Sequence, residues 1–254
     1  MNAEKISALV ITLNEIRHIE TCLKSVSWAD EMVVVDAGST DGTVEAARRL
    51  GAVIFHRDWQ GYVSQRRFAL ERASNDWVLF LDADETVTEA LKNDIRKRLG
   101  KESCSGYRIN RLNHFTGKPV LHCGWHPDWV LRCFNRRFAD FPDVRIHEGI
   151  RVEGGVSELN GMLLHHSYDS IQDYILKMNR YTSLEVEDKL QRLSDKPIRW
   201  HDWILHPFSR FHRMFVVKKG YQDGKIGLLV SLLSSLYLFV LYAKMWEHQN
   251  GKTE

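Results

Sequence analysis

Two carboxylates, Asp82 and Asp84, are the residues whose type and spacing point most directly to chemistry. They follow a short apolar run, residues 77–81, which lacks alternation and therefore predicts a strand buried on both faces. Open parallel sheets bind ligands at the carboxyl ends of such strands. Alternate carboxylates at that edge could share one Mg²⁺ or Mn²⁺ ion and one diphosphate, because both cations prefer oxygen ligands. Since Asp-x-Asp is also common in solvated turns, its surroundings decide between the two interpretations.

The segments around this pair predict alternating strands and helices. Apolar runs at residues 7–13, 32–35 and 53–55 predict three more strands. Residues 62–73 are predicted to form a helix, and residues 86–89 match a capping box, with Thr86 as the cap, for a helix that reaches Leu99. This alternation predicts a parallel sheet with helices on both faces. Polar residues then collect at one edge of the sheet, namely Thr12, Asn14, Glu15, Asp36 and Asp82.

Several motifs, in order, resemble the family 2 glycosyltransferases of the GT-A fold. The first three are VITLNE at residues 10–15, VVVDAGSTDGT at residues 33–43 and the Asp82-Ala83-Asp84 triplet. A narrower similarity, to bacterial lipopolysaccharide-core glucosyltransferases that modify inner-core heptose, rests on residues 124–129, 131–134 and 144–149. The resemblance implies a Rossmann-like α/β fold with a mostly parallel central sheet flanked by helices. It also implies the transfer of a sugar, with inversion, from a nucleotide diphosphate donor.

The resemblance carries roles over to individual residues. Thr12, Asn14 and Glu15 are expected near the nucleotide, and Asp36 is expected to accept a hydrogen bond from uracil. Asp82 would face the ribose and diphosphate. Together with Asp84 it would form the site of a divalent cation, Mg²⁺ or Mn²⁺.

The general base implied by the resemblance is a carboxylate downstream of the metal motif. Glu148 is preferred and Asp128 is the alternative, and the choice stays open because His147 stands where related enzymes carry the first acid of a pair. A surface ion pair with Arg145 or Arg151 is a structural alternative for Glu148. Direct inversion requires one base for the acceptor hydroxyl, and a cation that neutralises the leaving diphosphate.

Length and composition are consistent with one catalytic domain and a tail. The chain has 254 residues, of which 44% are hydrophobic, enough to bury a full core. We expect a GT-A domain at residues 1–190, with a nucleotide half at 1–100 and an acceptor half at 101–190, and a helical tail at 191–254. The formal net charge of +2 argues against nucleic acid as a partner.

Cysteine usage and the amino terminus predict a cytoplasmic location. The four cysteines are too few and too irregularly spaced for a disulfide framework, which favours a reducing compartment. One His/Cys cluster lacks a Cys-x-x-Cys pair, so we do not expect it to bind zinc; it comprises His122, Cys123, His126 and Cys133. The first predicted strand begins so close to Met1 that no signal peptide is expected.

The tail predicts association with the inner membrane. Residues 196–219 carry six basic residues and one acid, Asp202, a net formal charge of six minus one, or +5. Large apolar residues lie between these charges, as in amphipathic segments at anionic membrane surfaces. Residues 226–243 lack a charged residue and are at the threshold length for a spanning helix. Glycine, serine and tyrosine residues lower the hydrophobicity of this segment. We therefore expect a helix that lies in the membrane interface or packs against the catalytic domain. The two alternatives are an ordinary buried carboxyl-terminal helix and a transmembrane span.

The sequence therefore predicts a peripheral enzyme on the cytoplasmic face of the inner membrane. By resemblance, it moves glucose from a UDP-sugar to inner-core heptose of a lipid-linked oligosaccharide. One alternative is a transferase for another surface glycan or for a polyprenyl phosphate. The other is a scaffold that binds nucleotide sugars without catalysis, which Asp82, Asp84 and a downstream carboxylate disfavour.

Overall fold

A computed structural model of the chain describes residues 4–101, 103–140, 150–192 and 197–251. The chain forms two compact units. Unit 1 comprises Met1–Arg111 and Asp128–His165, and unit 2 comprises Leu112–Pro127 and His166–Glu254. The expected division into domains at residues 1–190 and 191–254 stays a prediction.

The first half of unit 1 alternates strands with helices, as predicted. In chain order the elements are β1 (Ile6–Thr12), α1 (Ile19–Ser25), β2 (Glu31–Asp36), α2 (Thr43–Arg49), β3 (Val53–His56), α3 (Tyr62–Arg72) and β4 (Trp77–Asp82). The four strands are parallel and lie in the order β3-β2-β1-β4. Their carboxyl ends therefore meet at one edge of the sheet.

Most of the remaining strands extend the sheet with antiparallel pairs, and two of them form a separate sheet. They are β5 (Glu85–Val87), β6 (Gly106–Phe115), β7 (Lys118–Pro119), β8 (Asp128–Asn135), β9 (Ala139–Asp140), β10 (Arg151–Val152) and β11 (Val156–Tyr168). The order continues β4-β8-β6-β11-β5, with β7 paired to β6, while β9 and β10 form a separate two-stranded sheet. β8 runs antiparallel to both β4 and β6. The sheet is thus mixed, with the predicted parallel strands at one side.

The helix after β5, α4 (Glu89–Arg98), starts later than the capping box predicts. Thr88 is its N-cap, and the Thr88 hydroxyl accepts a hydrogen bond from the Leu91 amide at 3.3 Å. The prediction of Thr86 as the cap is wrong, because Thr86 pairs with Leu164 of β11 as part of β5. A sheet pairing between residues distant in sequence overrides the local helix signal here.

The parallel strands are buried on both faces, which explains their unbroken apolar runs. On β1, Ala8 and Val10 join the cluster that also holds residues of α1 and α4. Leu9 and Ile11 point to the other face and join a cluster that includes Ala69 of α3. Each large apolar side chain buried in this way contributes about 1.5–3 kcal/mol. Burial on both faces therefore holds the polar carboxyl edge in place.

Unit 2 contains the long helices of the carboxyl-terminal part. They are α5 (Ile171–Arg192), α6 (Asp202–Phe211), a π-helical segment (His212–Val217), a short 3₁₀ turn (Gly220–Asp223) and α7 (Gly224–Asn250). Trp203 of α6 contacts Trp246 of α7, with ring centroids 5.7 Å apart, and His206 stacks on Tyr242 at 4.6 Å. Gly220–Asn250 is the one helical stretch of the described residues that is long and apolar enough to cross a membrane, by length and composition alone, and 33% of its most apolar window is buried. A packed helix passes the same test, so this stretch by itself does not establish a membrane span.

Candidate active site

The site predicted from the sequence lies at the carboxyl edge of the parallel strands in unit 1. Thr12, Asp36 and Asp82 are the last residues of β1, β2 and β4. Thr12 and Asp36 are register partners on neighbouring strands, so their side chains share one face of the sheet. The register places Asp82 beside Ile11 on the other side of β1. The fold thus brings together three residues that are far apart in sequence.

Thr12 and Asp36 each hold a buried polar oxygen that no described residue contacts through a hydrogen bond. Their side chains are almost completely buried, and within the described residues neither Thr12 Oγ1 nor Asp36 Oδ1 has a hydrogen-bond partner. The other carboxylate oxygen, Asp36 Oδ2, accepts hydrogen bonds from the amides of Gly38 and Ser39, both at 2.9 Å. Asp36 therefore caps the turn after β2 with one oxygen and presents the other. An unpartnered buried polar group costs about 1–3 kcal/mol, which a ligand with a suitable donor would recover.

Hydrogen bonds join the loop after β1 to the loop after β2. The Asn14 amide donates to Ser39 Oγ at 2.7 Å, and Asn14 Oδ1 accepts from the Thr40 amide at 2.8 Å. Asn14 has a φ of +56°, a left-handed conformation that asparagine tolerates better than most residues. The Glu15 amide donates to Thr43 Oγ1 at 2.9 Å. The predicted nucleotide residues Asn14 and Glu15 thus help to shape one wall of the site.

Asp82, at the end of β4, binds two arginines. Arg66 Nη2 of α3 lies 3.2 Å from Asp82 Oδ1, and Arg132 Nη2 of β8 donates to Asp82 Oδ2. Burial alone would raise the pKa of Asp82, but the charges and hydrogen bonds of Arg132 and Arg66 outweigh burial and hold that pKa well below its ordinary value. The carboxylate is therefore ionised, and each of its oxygens faces a guanidinium group.

Glu85, which sequence reasoning did not single out, lies at the centre of a buried ion network. Its side chain is fully buried, and it accepts from Arg132 Nη2 at 2.8 Å, from Arg111 Nη1 at 3.1 Å and from the Asp82 amide at 3.0 Å. Arg111 in turn binds Asp128 Oδ2 through both Nε and Nη2, each at 2.8 Å. Three arginines therefore face three carboxylates, and their formal charges cancel. The sequence signal was faint, since Arg132 lay in a motif with no assigned role.

Asp84 lies beside a histidine that sequence reasoning also missed. His165 Nε2 of β11 is 3.4 Å from Asp84 Oδ2. The described residues contain no cluster of three His, Cys, Asp or Glu residues able to hold a metal ion by themselves. The carboxylate oxygen nevertheless suits Mg²⁺ or Mn²⁺ when substrate phosphates supply the other ligands, and the imidazole nitrogen suits Mn²⁺ of the two. The residues present therefore fit a cation that is shared with a diphosphate.

The structure describes one of the two candidate bases. Asp128 begins β8, and Arg111 binds its carboxylate. The preferred candidate, Glu148, lies outside the described residues, as does the rest of the motif at residues 144–149. The choice between the two bases stays a prediction.

Comparisons with known proteins agree on one family. Residues 7–151 match the profile described as Glycosyl transferase family 2. The lipopolysaccharide core biosynthesis glycosyltransferase LpsC of Rhizobium meliloti (strain 1021) is 31% identical over 255 residues, which cover 95% of this chain and 92% of LpsC. The glycosyltransferase RT0209 of Rickettsia typhi is 29% identical over 265 residues, or 96% of this chain and 87% of RT0209.

A solved structure shares the fold. It is the mannosyltransferase PcManGT from Pyrobaculum calidifontis in complex with GDP-Man and Mn²⁺, and it is 17% identical in sequence. It superposes with a TM-score of 0.52 over 98% of this chain and 85% of the mannosyltransferase. The GT-A architecture expected from the sequence is thus confirmed at the level of the fold.

Proposed function

The chain belongs to glycosyltransferase family 2, and we propose that it transfers glucose, with inversion, from a UDP-sugar to inner-core heptose of a lipid-linked lipopolysaccharide precursor. The donor assignment rests on two buried oxygens at the carboxyl edge, Thr12 Oγ1 and Asp36 Oδ1, which have no hydrogen-bond partner in the part of the chain that the structure describes. The support for the acceptor half is the 31% identity to LpsC, which acts in lipopolysaccharide core biosynthesis.

The nucleotide would bind at the ends of β1 and β2. The imide N–H of uracil is a hydrogen-bond donor, and Asp36 Oδ1 is a buried acceptor without a partner among the described residues. Thr12 Oγ1, on the same face of the sheet, offers a second polar contact. Asn14 and Glu15 form the adjoining wall, where the hydrogen bonds to the loop after β2 keep its shape. The preorganised wall would lower the entropic cost of binding the donor.

Asp84 and His165 would hold a divalent cation, with Asp82 beside them. A bound cation would neutralise the negative charge that develops on the leaving diphosphate. Arg66, 3.2 Å from Asp82, keeps a positive charge at the same end of β4. Because the arginines and carboxylates of this network cancel in formal charge, the bound cation would supply the net positive charge for the diphosphate.

The acceptor hydroxyl would lose its proton to Glu148. A positioned base of this kind contributes about 10²- to 10⁴-fold to the rate. Asp128 is the alternative, but two nitrogens of Arg111 already bind its Oδ2, so use of that oxygen would require the ion pair to open. The proposal therefore keeps Glu148 as the preferred base and Asp128 as the alternative.

We also propose that unit 2 binds the cytoplasmic face of the inner membrane peripherally, close to the lipid-linked acceptor. The outer face of α6 and the residues before it expose large apolar side chains, with Trp200 73% exposed, Phe208 67% exposed, and Ile204 and Leu205 58% exposed. Exposed basic residues precede and follow this face in sequence, with Arg199 before it and Arg213, Lys218 and Lys219 after it. A segment that combines exposed apolar and basic side chains fits an anionic lipid surface.

The test is a transfer assay with UDP-glucose, UDP-galactose and GDP-mannose, each with and without a heptose-terminated core acceptor. We expect UDP release from UDP-glucose that depends on both the acceptor and Mg²⁺ or Mn²⁺. Nucleotide release from GDP-mannose but not from UDP-glucose would overturn the donor assignment. Transfer only to a polyprenyl phosphate or to another glycan would overturn the acceptor. No nucleotide release from any donor would indicate a non-catalytic scaffold.

A further inference from the structure

Arg132 occupies an irregularity in the strand that carries it. Tyr107 of β6 pairs with Cys133 of β8, whereas the next residue, Arg108, pairs with Leu131. The register therefore skips Arg132, which is the extra residue of a β-bulge. Bulges reorient side chains and are frequent beside active sites. Here the bulge turns one arginine out of the regular ladder, next to the end of β4.

One nitrogen of Arg132 joins two carboxylates in the protein interior. Its Nη2 donates to Asp82 Oδ2 and to Glu85 Oε1, the latter at 2.8 Å. The Arg132 side chain is 7% exposed and the Glu85 side chain is fully buried. The same Glu85 accepts the backbone amide of Asp82 through its other oxygen, at 3.0 Å. Arg132 therefore holds the carboxylate oxygen that Arg66 does not bind, while Glu85 holds the main chain of Asp82.

We propose that Arg132 is a positioning residue for the donor site, which fixes the orientation of the Asp82 carboxylate through the bulge in β8. The inference rests on the proposed function, in which Asp82 faces the ribose and diphosphate. Arg132 is turned toward the buried Glu85 and acts on the donor through Asp82. The network as a whole is neutral in formal charge, because Arg66, Arg111 and Arg132 balance Asp82, Glu85 and Asp128.

A positioning role and a merely structural role predict different results. If Arg132 serves only to neutralise buried Glu85, the removal of both charges should restore the site. If Arg132 orients Asp82, the removal of both charges should restore folding but not donor affinity. Buried ion pairs permit this separation, because removing one partner leaves an uncompensated buried charge, whereas removing both partners leaves none.

The experiment compares Arg132→Gln, Glu85→Gln and the double variant Glu85→Gln/Arg132→Gln. Thermal unfolding reports folding, calorimetry reports UDP-glucose affinity, and initial rates report donor and acceptor KM separately. We expect the double variant to fold and to bind UDP-glucose about 10- to 100-fold more weakly, the range seen when residues that orient a ligating group are lost. The acceptor KM should stay within about twofold of wild type. Arg132→Lys, which keeps the charge without the planar fork, should recover part of the loss.

Arg136→Gln is the matched control. Arg136 follows β8 and donates to the carbonyl oxygens of Leu70 and Ala73, at 3.3 and 2.6 Å, without contact to Asp82 or Glu85. The Arg136→Gln variant should bind UDP-glucose with the same affinity as the wild type. Wild-type donor affinity in the double variant would overturn the proposal.

A crystal structure of the double variant gives a second readout that does not depend on donor binding. We expect the Asp82 carboxylate to adopt a different rotamer, and an unchanged rotamer would overturn the positioning role. A wild type that binds no nucleotide sugar would instead refute the proposed function. The crystal structure would still decide whether Arg132 orients Asp82.

Discussion

At the scale of single residues, Asp36 combines two tasks in one carboxylate. Its Oδ2 accepts two turn amides, and its Oδ1 is buried without a partner among the described residues. A residue needed only for the turn would be served by one oxygen. The second oxygen, Oδ1, is therefore the atom of Asp36 that is available to accept a hydrogen bond from a ligand.

We expect Asp36→Asn to weaken UDP binding by about tenfold or more, because a hydrogen bond to a charged group contributes about 1.5–3 kcal/mol. Asparagine can keep an oxygen toward the turn, but its amide nitrogen cannot accept from uracil. The measurement is UDP titration by calorimetry. Asp41→Asn is the control, since Asp41 also accepts loop hydrogen bonds, from Ile16 and Thr43, but has no orphaned buried oxygen among the described residues. Equal UDP affinity in Asp36→Asn and wild type would exclude uracil recognition by Asp36.

Asp84→Ala should abolish metal-dependent turnover, because a cation held by few protein ligands would lose the carboxylate proposed to bind it. His165→Ala should raise the Mn²⁺ concentration needed for half-maximal activity. The measurement is transfer rate against Mn²⁺ concentration and in excess chelator. Full wild-type activity in chelator would remove the metal from the mechanism.

Glu148→Gln should preserve donor binding and lower turnover by about 10²-fold or more, the scale of a lost general base. Asp128→Asn is the matched variant, and it should change turnover less. The measurement is kcat beside calorimetric donor affinity for both variants. An inactive Asp128→Asn enzyme with near-normal Glu148→Gln activity would give the role to Asp128.

At the scale of elements, Glu31 at the start of β2 ties three segments of unit 1 together. It accepts from the Ser7 hydroxyl of β1 at 2.6 Å, and from the Ser74 amide and hydroxyl, before β4, at 2.8 and 2.7 Å. Burial alone would raise the pKa of Glu31, but these hydrogen bonds outweigh it and lower the pKa below its ordinary value of 4.5. A depressed carboxyl pKa stabilises the fold above the unfolded value, and this stabilisation is lost as pH falls through the folded value.

Glu31→Gln should therefore lower the free energy of unfolding by about 1 kcal/mol at pH 7, and the difference should shrink as pH falls below 4.5. Urea unfolding of both proteins at a series of pH values measures it. Glu71→Gln, at an exposed position of α3, is the control and should show little effect at any pH. A difference that persists unchanged at low pH would contradict the assignment to the ionised carboxylate.

At the scale of the whole molecule, the proposed membrane association would depend on charge and apolar area in unit 2. Each Lys or Arg near an anionic surface contributes about 1 kcal/mol. Gln in place of Arg210, Arg213, Lys218 and Lys219 should therefore remove a few kcal/mol of attraction and make residual binding less sensitive to salt. Sedimentation with anionic and neutral vesicles at low and high salt measures both effects.

Two further variants control that experiment. Gln in place of four exposed basic residues of unit 1 should leave binding unchanged; the set is Lys24, Arg48, Arg49 and Lys101. Ser in place of Ile204 and Phe208 should weaken binding to both kinds of vesicle. If the wild-type protein binds neither kind of vesicle, the exposed face of α6 does not bind lipid. Salt-resistant binding to both would indicate insertion of α7.

The sequence by itself determined the parallel half of the sheet and the edge where the candidate site lies. Strands buried on both faces require unbroken apolar runs, so β1, β2 and β4 are visible locally, and the polar residues that end them mark the edge. The motifs were also sufficient to identify the family, because each one is a short, contiguous stretch of sequence. The cap of α4 was misjudged, since pairing of Thr86 with β11 is not a local property.

The tertiary structure alone decided the partners of these residues. Arg132 lies 50 positions from Asp82 in sequence, and the β-bulge that directs it leaves no local signature. His165 reaches Asp84 only because β11 pairs with β5 beside it. Ion pairs depend on distance in space, which spacing in sequence does not specify once the chain folds back. For this reason the sequence was enough to identify the carboxylates as candidates, while only the fold could show which arginine and histidine side chains contact them.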